Sequence, residues 1–499
     1  MKLMFNEDWM HYIWSRYTRK TDITEEVLRE FIYQYKGTHI TDFTLNVNGT
    51  VSTVPSKIKQ DFCDKYLATE ENGIKVDYRN THAQKAYEIF AEKKLDMYQI
   101  WIDALNEIGI NPWISVRVND VHGNNNETDV RKSEQVDGRP DKWRVRYREA
   151  TGYYDKCQDF ELEIVRKDFL GYVEEMLERY SGVCGLELDF SREAYMFAPG
   201  KEKAGREIAN NLMKDIRVLC DKYSVKKINV LVPAVYQTCL DYGIDPVAWA
   251  KNGCADSVVT ISHWQSINTN YQIDLWKKLL DGAAEIGTAQ QMNVKAHPNA
   301  QSFVTSVDIA YGQAAANFYN GSDFVYLYNY MDLPEVEDVK ASGLYPSSID
   351  TASVRYTENQ YDMLCALGDY ESVSKHKRTY VLTYDDYPVY WDKTSSRLPI
   401  EFDGGVGYGA IKIMTGGMNE SDKAEVRLGF DRKLDSKDIE VYVNGEKSTL
   451  TDYGNISEKL SELTGHMFEI KNKPGGYAVV EIRTYLPAVL HYADITVTP

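Results

Sequence analysis

Short apolar segments alternate with helical patterns over the first part of the chain, up to about residue 370. Eight of these segments predict strands, and the seventh is the weakest of them: 2–6, 39–48, 113–119, 184–190, 227–233, 257–263, 286–294 and 323–330. Between them, apolar positions that recur at the helical period predict helices at 24–35, 83–109, 166–180, 204–223, 274–286 and 306–319. Strands that alternate with helices favour a parallel sheet, and eight strands close a (β/α)8 barrel.

A doubly wound open sheet is the alternative arrangement for such an alternation. Nucleotide-binding sheets of that kind usually have a Gly-rich phosphate loop after the first strand, and neither GxGxxG nor GxxxxGK[ST] is found there. The pattern therefore favours an α/β protein with a (β/α)8 TIM barrel over residues 1–375.

The pattern changes after about residue 378. Short segments with apolar residues at every second position follow one another, separated by Gly, Asn, Asp and Pro. The tetrapeptide VNGE at 443–446 is typical of a hairpin turn. We therefore predict that a C-terminal antiparallel β-sandwich domain, residues 378–499, follows the barrel.

A long polar segment, residues 120–165, follows the third predicted strand and is rich in Asn and Asp. Long loops in compact domains are usually functional or disordered. Because the loops after barrel strands lie on the catalytic face, we expect this insertion to lie over the active site.

The chain of 499 residues has a formal net charge of −18. Such a surface repels phosphate backbones and anionic lipids, so we expect no nucleic acid and no membrane as partners, whereas a neutral carbohydrate fits. The seven Cys are scattered and odd in number, which favours a reducing compartment. No signal-peptide pattern and no membrane-spanning apolar run is found, so we expect a cytoplasmic protein, with a homo-oligomer left open.

Two carboxylates lie at the end of the fourth predicted strand, in the sequence CGLELDF. Side chains alternate along a strand, so Glu187 and Asp189 share one face, which in a barrel is the interior. Burying a carboxylate is costly unless it is paired or hydrogen-bonded. Two of them at a barrel mouth indicate a catalytic site in which one keeps a proton and the other is ionised. The alternative is a structural pair bound by Arg117 and Arg192.

A second polar constellation, WISVRVNDVHG at 113–123, lies on the third predicted strand and the turn after it. We predict that Arg117, Asn119 and His122 bind substrate, the last two through its hydroxyls, and Arg117 could also bind Glu187 or Asp189. Further candidates for substrate binding at the strand ends are Arg192, Tyr236, His263, Trp264, Asn329 and Asp332. The histidines form neither HxH nor HExxH, so we predict no metal and no cofactor.

The sequence GLELDF followed by Arg192, the sequence WISVRVND-H and the C-terminal sandwich together resemble bacterial glycoside-hydrolase-like TIM-barrel proteins. The resemblance implies a glycosidase, and in the α-galactosidase-like group the nucleophile is an Asp at the end of strand four, which Asp189 matches. Those barrels have their general acid on strand six, where this chain has His263 and Trp264. Chitinase-like and lysozyme-like barrels have two strand-four carboxylates that end in Glu, whereas here the order is Glu187 and then Asp189.

We therefore predict an exo-acting glycoside hydrolase for an oligosaccharide or glycoconjugate, with Asp189 as nucleophile or base and Glu187 as acid. Further candidates for the partner carboxylate are Glu7, Asp8, Asp120 and Asp332. The alternative is a non-catalytic carbohydrate-binding protein on a degenerate barrel, in which the acids only bind hydroxyls. A metal-dependent hydrolase is the third hypothesis.

Overall fold

The computed structural model of the chain describes residues 2–9, 12–13, 22–71, 73–123, 126, 128–133, 157–198, 200–263, 266–267, 271–291, 293–297, 299–301, 303–329, 358–384, 398–473 and 475–499. Half of the predicted insertion after the third strand, residues 134–156, lies outside this part. Within the described residues, no helix has both the length and the apolar character needed to cross a bilayer.

Eight parallel strands form a closed barrel, which confirms the predicted (β/α)8 architecture and excludes the open sheet. They are β1 Lys2–Glu7, β2 Ile40–Asn46, β3 Asn111–Arg117, β4 Gly185–Asp189, β5 Lys227–Pro233, β6 Ser257–Ile261, β7 Glu285–Gln291 and β8 Phe324–Tyr328. Each strand pairs with the next along the chain, and β8 pairs with β1 to close the ring. Every predicted strand is present, including the weak seventh one.

Helices surround the barrel. They are α1 Glu25–Tyr33, α2 Phe62–Leu67, α3 His82–Tyr87, α4 Met97–Ile108, α5 Glu163–Arg179, α6 Glu202–Lys222, α7 Tyr236–Asp241, α8 Pro246–Lys251, α9 Ile273–Leu280, α10 Val307–Tyr319, α11 Glu358–Ala366 and α12 Tyr370–Ser374. The single helix predicted at 83–109 is wrong, because α3 continues into a π-helical segment and then stops before α4. The break follows from Lys94, which has a left-handed φ of 55°, and from Asp96, whose side chain caps α4 by accepting from the Gln99 amide.

The barrel interior is apolar at its base and polar toward the carboxyl ends of the strands. Met4, Trp113 and Phe324 belong to one buried apolar cluster inside the ring. Gly185 at the start of β4 makes room for this cluster, since a Cβ there would lie 2.2 Å from the Trp113 ring. The next inward-facing positions of β4, Glu187 and Asp189, therefore lie above the apolar base.

The C-terminal strands form two antiparallel sheets. They are β9 Arg378–Leu382, β10 Ile400–Phe402, β11 Gly407–Met414, β12 Lys423–Phe430, β13 Ile439–Val443, β14 Glu446–Ser448, β15 Leu450–Gly454, β16 Thr464–Glu469, β17 Tyr477–Thr484 and β18 Ala488–Thr498. The larger sheet has the order β9-β18-β12-β16-β15, with β10 also paired to β18, and the smaller has the order β11-β17-β13-β14. Asn444 and Gly445, with φ of 49° and 81°, form the predicted hairpin turn between β13 and β14.

Helix α10 joins the barrel to the larger sheet. It packs directly on β9, and the contact is so close that a Cβ at Gly312 would lie 2.2 Å from the Thr379 carbonyl oxygen. A small apolar cluster that includes Ile309, Val381 and Tyr492 continues this contact across the outer face of the sheet. The sheet is thus fixed against the side of the barrel on which α10 lies.

Candidate active site

Glu187 lies inside the barrel, one layer below the mouth. The strand register places Ser115, Glu187 and Asn229 side by side on β3, β4 and β5. Ser115 Oγ and Tyr326 OH donate to Glu187 Oε1 at 2.8 and 2.9 Å, and Asn229 Nδ2 donates to Oε2 at 2.7 Å. Glu187 is 0% exposed, and this burial, reinforced by the nearby charge of Asp189, raises its pKa to about 7. The barrel therefore contains a carboxyl group whose pKa lies near neutral pH.

Asp189 lies one layer higher, at the end of β4 and in register with Arg117. Ser191 donates to Asp189 Oδ1 through its backbone N at 2.8 Å and its Oγ at 2.6 Å, and Tyr328 OH donates to Oδ2 at 2.7 Å. Burial raises the pKa of Tyr328 well above its ordinary value, so the phenol keeps its proton and acts as the donor. These three hydrogen bonds fix the carboxylate in one orientation at the mouth.

Arg117 pairs with acids other than those we predicted. Its Nη2 donates to Asp8 Oδ2 at 3.0 Å, and its Nη1 lies 3.5 Å from Asp120 Oδ2. Burial by itself would lower the pKa of Arg117, but Asp8 and the neighbouring acids raise it well above its ordinary value. Among the described residues Arg117 makes no hydrogen bond to Glu187 or Asp189, so the predicted direct contact is wrong, whereas its assignment to substrate binding stays a prediction. The Arg117 side chain is long enough to extend past the neighbouring strand ends to Asp8, which directly follows β1.

His122 is neutral, and its contacts determine which ring nitrogen is protonated. Arg192 Nη2 lies 2.7 Å from His122 Nε2, and because a guanidinium can only donate, Nε2 is the acceptor. Nδ1 therefore carries the proton and donates to Asp120, whose two carboxylate oxygens are each 2.8 Å away. Burial lowers the pKa of His122, and burial with the charge of Arg192 lowers the pKa of His263 to about 3. The predicted residues Arg117, His122, Arg192 and His263 thus share one polar cluster with Asp189.

Asn119 and Asn329 adjoin this cluster, but the structure gives their side chains other partners. Asn119 Nδ2 donates to the carbonyl oxygens of Gln158 and Tyr195 at 2.9 and 2.7 Å, and its Oδ1 accepts from the Gln158 amide at 2.9 Å. Asn329, which follows β8 with a left-handed φ of 49°, accepts from Arg117 Nη2 at 3.3 Å. Their assignment to substrate binding stays a prediction.

Tyr236 is the first residue of α7, and its ring packs edge-on against Trp276. Its hydroxyl donates to Asp245 Oδ1 at 3.0 Å, beside the start of α8. The structure therefore places Tyr236 among the outer helices rather than in the cluster around Asp189. Trp264 and Asp332 lie outside the described residues.

One group of side chains offers a mixed nitrogen and oxygen donor set. The ligand atoms of Asp120, His122 and Glu193 all lie within 4.8 Å of one another. Such a set resembles a zinc site in kind. However, Arg192 already occupies His122 Nε2, and Arg117 adjoins Asp120, so a dication would meet two guanidinium charges. The surroundings of this group, which we call the His122 cluster, disfavour a metal.

Several residues of the site were not predicted from the sequence. Tyr326 and Tyr328 donate to the two central carboxylates, yet each lies 139 residues further along the chain. The sequence FVYLY could have revealed them. Side chains alternate along a strand, so both Tyr rings face the same side, just as Glu187 and Asp189 do. Asn229 is the one polar side chain within INVLV, the buried apolar part of β5, and this position indicates an inward-facing partner.

No protein-family model matches the chain, and no curated protein does. Many solved structures match, among them the cycloisomaltooligosaccharide glucanotransferase of Paenibacillus sp., at 10% identity and a TM-score of 0.35, with 98% of this chain and 57% of that one covered. A bacterial fucosidase has 12% identity and a TM-score of 0.39, covering 97% and 94% of the two chains. Alpha-L-fucosidase isoenzyme 1 from Paenibacillus thiaminolyticus has 11% identity and a TM-score of 0.37, with 97% of this chain and 96% of that one covered. This chain thus spans little more than half of the glucanotransferase. Likeness at this level says nothing about substrate or activity.

Proposed function

We propose that the chain is an exo-acting glycoside hydrolase in which Asp189 acts on the sugar as nucleophile or base. The observation that supports this best is the two-layer arrangement of carboxyl groups on β4. Asp189 lies at the mouth and is oriented by Ser191 and Tyr328. Glu187 lies beneath it with a pKa raised by burial to about 7. Glycoside hydrolysis usually uses a pair of carboxyl groups, one of which has a raised pKa and acts as the acid.

The general acid must be protonated at working pH and must reach the leaving group. Glu187, the acid predicted from the sequence, satisfies the first condition. Three donors enclose it, so a substrate that stays above Asp189 would not touch it directly. Glu193, four residues beyond β4 and within the His122 cluster, is the alternative acid by position. We keep Glu187 as the proposed acid and treat Glu193 as its competitor.

The test is hydrolysis of a panel of aryl glycosides and natural oligosaccharides by the wild type and by Asp189→Asn. We expect the wild type to release one terminal sugar and the variant to be slower by roughly 10²- to 10⁴-fold, the range for groups that take part in the chemistry. Release of single sugars from the chain end tests the exo action. Full activity of Asp189→Asn would refute the proposal.

The dependence of the rate on the leaving group distinguishes Glu187 from Glu193 as the general acid. Replacing a general acid harms substrates with poor leaving groups far more than dinitrophenyl glycosides, whose leaving group needs no proton. If Glu187 is the acid, Glu187→Gln shows this split and Glu193→Gln does not. The reverse pattern would assign the role to Glu193.

A non-catalytic carbohydrate-binding protein is the second candidate, and the enclosure of Glu187 favours it. A carboxyl group that accepts from Ser115, Asn229 and Tyr326 is also what a purely structural network requires. In that case no substrate in the panel is hydrolysed, while a sugar raises the melting temperature and Asp189→Asn reduces that increase.

A further inference from the structure

The outer face of the smaller C-terminal sheet carries an exposed aromatic patch. Side chains alternate along β11 and β17, so Ile411 and Val480 are buried in the sandwich, whereas Tyr408 and Arg483 are exposed. Large apolar side chains that are exposed to solvent lie together at one end of this face and in the turns beside it: Val406, Tyr408, Tyr485 and Leu486. An exposed apolar patch with a polar surround marks an interaction site. We call this surface, around Tyr408, Arg483 and Tyr485, the Tyr408 face.

Hydrogen bonds to the neighbouring strand orient two tyrosines of this face. Tyr408 on β11 is paired in register with Arg483, but its hydroxyl donates to Glu481 Oε1 on β17 at 2.9 Å. Tyr485 directly follows β17 and donates in the same way to Glu440 Oε2 on β13 at 3.2 Å. Each ring therefore extends across the surface of the sheet, and the two residues are 57% and 40% exposed. Because the rings are already oriented, a ligand that stacks on them orders little further.

Arg483 lies between these two tyrosines and offers hydrogen-bond donors. It is paired across the sheet with Tyr408 on one side and with Glu440 on the other, and Tyr485 is two residues further on. Its guanidinium carbon lies 5.6 Å from the centre of the Tyr442 ring. Within the described part of the chain, this guanidinium donates to no side chain or carbonyl group. Its N–H groups are thus available to the hydroxyls of a ligand.

The charges of the Tyr408 face are balanced, which favours a neutral partner. Arg483 and Lys447 are the cations, Glu440 and Glu481 are the anions, and Lys447 pairs with Glu440. Lys412 lies beyond the face, four residues further along β11. An acidic partner would meet two carboxylates on a chain with a net charge of −18. Charged side chains are also depleted in the cores of protein–protein interfaces, so a second copy of the chain fits this face less well.

A carbohydrate chain has the groups that this face can bind. The C–H side of a pyranose ring is apolar and packs on aromatic rings, and the hydroxyls at its edge both donate and accept hydrogen bonds. The Tyr rings provide the apolar surface, Arg483 provides donors, and the carboxylates provide acceptors. The face is an open sheet surface rather than a concave pocket of the kind that encloses a small ligand. It therefore suits an extended polymer that contacts both tyrosines.

We propose that the Tyr408 face binds a neutral polysaccharide, with sugar rings stacked on Tyr408 and Tyr485 and sugar hydroxyls that accept from Arg483. The choice of a carbohydrate also relies on the proposed function, whereas the interaction face itself does not. No step of hydrolysis takes place there. The face holds the protein on a polymer while the barrel acts on a free end.

The test is affinity electrophoresis in native gels that contain xylan, xyloglucan, glucomannan, galactomannan or dextran, with polygalacturonate as the acidic probe. The full-length wild type is compared with the double variant Tyr408→Ala/Tyr485→Ala and with Arg483→Gln, which keeps both rings. Tyr361→Ala is the matched control. Tyr361 lies on α11, is 42% exposed, and donates one hydrogen bond, to the Lys36 carbonyl oxygen at 3.2 Å.

We expect at least one neutral polysaccharide to retard the wild type and Tyr361→Ala equally, with an affinity roughly tenfold lower or less in the double variant and a reduced affinity in Arg483→Gln. The proposal is overturned if no neutral polysaccharide retards the wild type, or if both variants are retarded as the wild type is. It is also overturned if sedimentation shows a wild-type dimer that the double variant breaks, because the face is then an interface between copies. Hydrolysis by the wild type, assayed in parallel, separates the two proposals. Cleavage without tyrosine-dependent retardation refutes this face alone, and tyrosine-dependent retardation without cleavage refutes the hydrolase alone.

Discussion

The raised pKa of Glu187 makes a prediction about stability that does not depend on the substrate. Its ordinary pKa is 4.5, and burial raises it to about 7 in the folded protein. Between these two values the unfolded chain loses the proton while the folded chain keeps it, so the free energy of unfolding falls as pH rises. At about 1.4 kcal/mol per pH unit, the whole difference amounts to about 3 kcal/mol. Above pH 7 this destabilisation is fully present, and below 4.5 it is absent.

Glu187→Gln should remove this pH dependence because the amide does not titrate. The substitution suits the site: the Gln oxygen can accept from Asn229 Nδ2, and its amide can donate to the hydroxyl oxygens of Ser115 and Tyr326. The Tyr326 hydroxyl can then turn toward Thr44 Oγ1, 2.8 Å away. Hydroxyl groups both donate and accept, so the network can adapt to the amide.

The measurement is urea unfolding of both proteins, followed by tryptophan fluorescence, at intervals from pH 4.5 to 8. We expect the stability of Glu187→Gln relative to the wild type to rise by about 3 kcal/mol across this range. Glu446→Gln, on the exposed hairpin strand β14, corrects for the loss of one carboxylate from a chain with a net charge of −18. A relative stability that does not change with pH would show that Glu187 is ionised throughout, and the protonation argument would be wrong.

Three further predictions follow from single contacts. Tyr328→Phe removes the hydrogen bond to Asp189 Oδ2 and should lower kcat on aryl glycosides about tenfold with KM little changed; an unchanged kcat would deny the phenol a positioning role. Gly312→Ala places a methyl group 2.2 Å from the Thr379 carbonyl and should cost about 2 kcal/mol in urea unfolding, whereas wild-type stability would mean that α10 can move off β9. EDTA should leave hydrolysis unchanged, because guanidinium groups surround the His122 cluster; loss of activity that zinc restores would contradict this.

The barrel could be predicted from the sequence because its signal is local and repeated. Each of the eight strands is a short apolar segment between helical patterns, and the structure moves most of their ends by only a few residues. The wrong helix at 83–109 shows the limit of that signal. Its apolar period continues through Lys94, and only the left-handed backbone at that residue reveals the break.

Partners at the site could not be predicted in the same way. The alternation rule placed Glu187 and Asp189 on the inner face, where the structure has them. It could not say which of the many acids at the strand ends Arg117 would meet, because Asp8 is 109 residues away in sequence and comes from another strand. The partner of a long flexible side chain depends on distances across the barrel mouth. These distances depend on the whole fold and cannot be read from a short stretch of sequence.

The two layers also explain how one strand tolerates two inward-facing carboxyl groups. Two ionised groups at adjacent inward positions would repel each other with little water to screen them. Protonation removes the charge of the lower one, Glu187, and its O–H can then donate to Ser115 or Tyr326, whose hydroxyl groups also accept. The upper group, Asp189, instead has a guanidinium nearby, since Asp189 is among the acids that raise the pKa of Arg117. Arg117→Met removes this positive charge, so the negative charge of Asp189 is screened less. We therefore expect the apparent pKa of Glu187, read from the pH dependence of urea unfolding, to rise further.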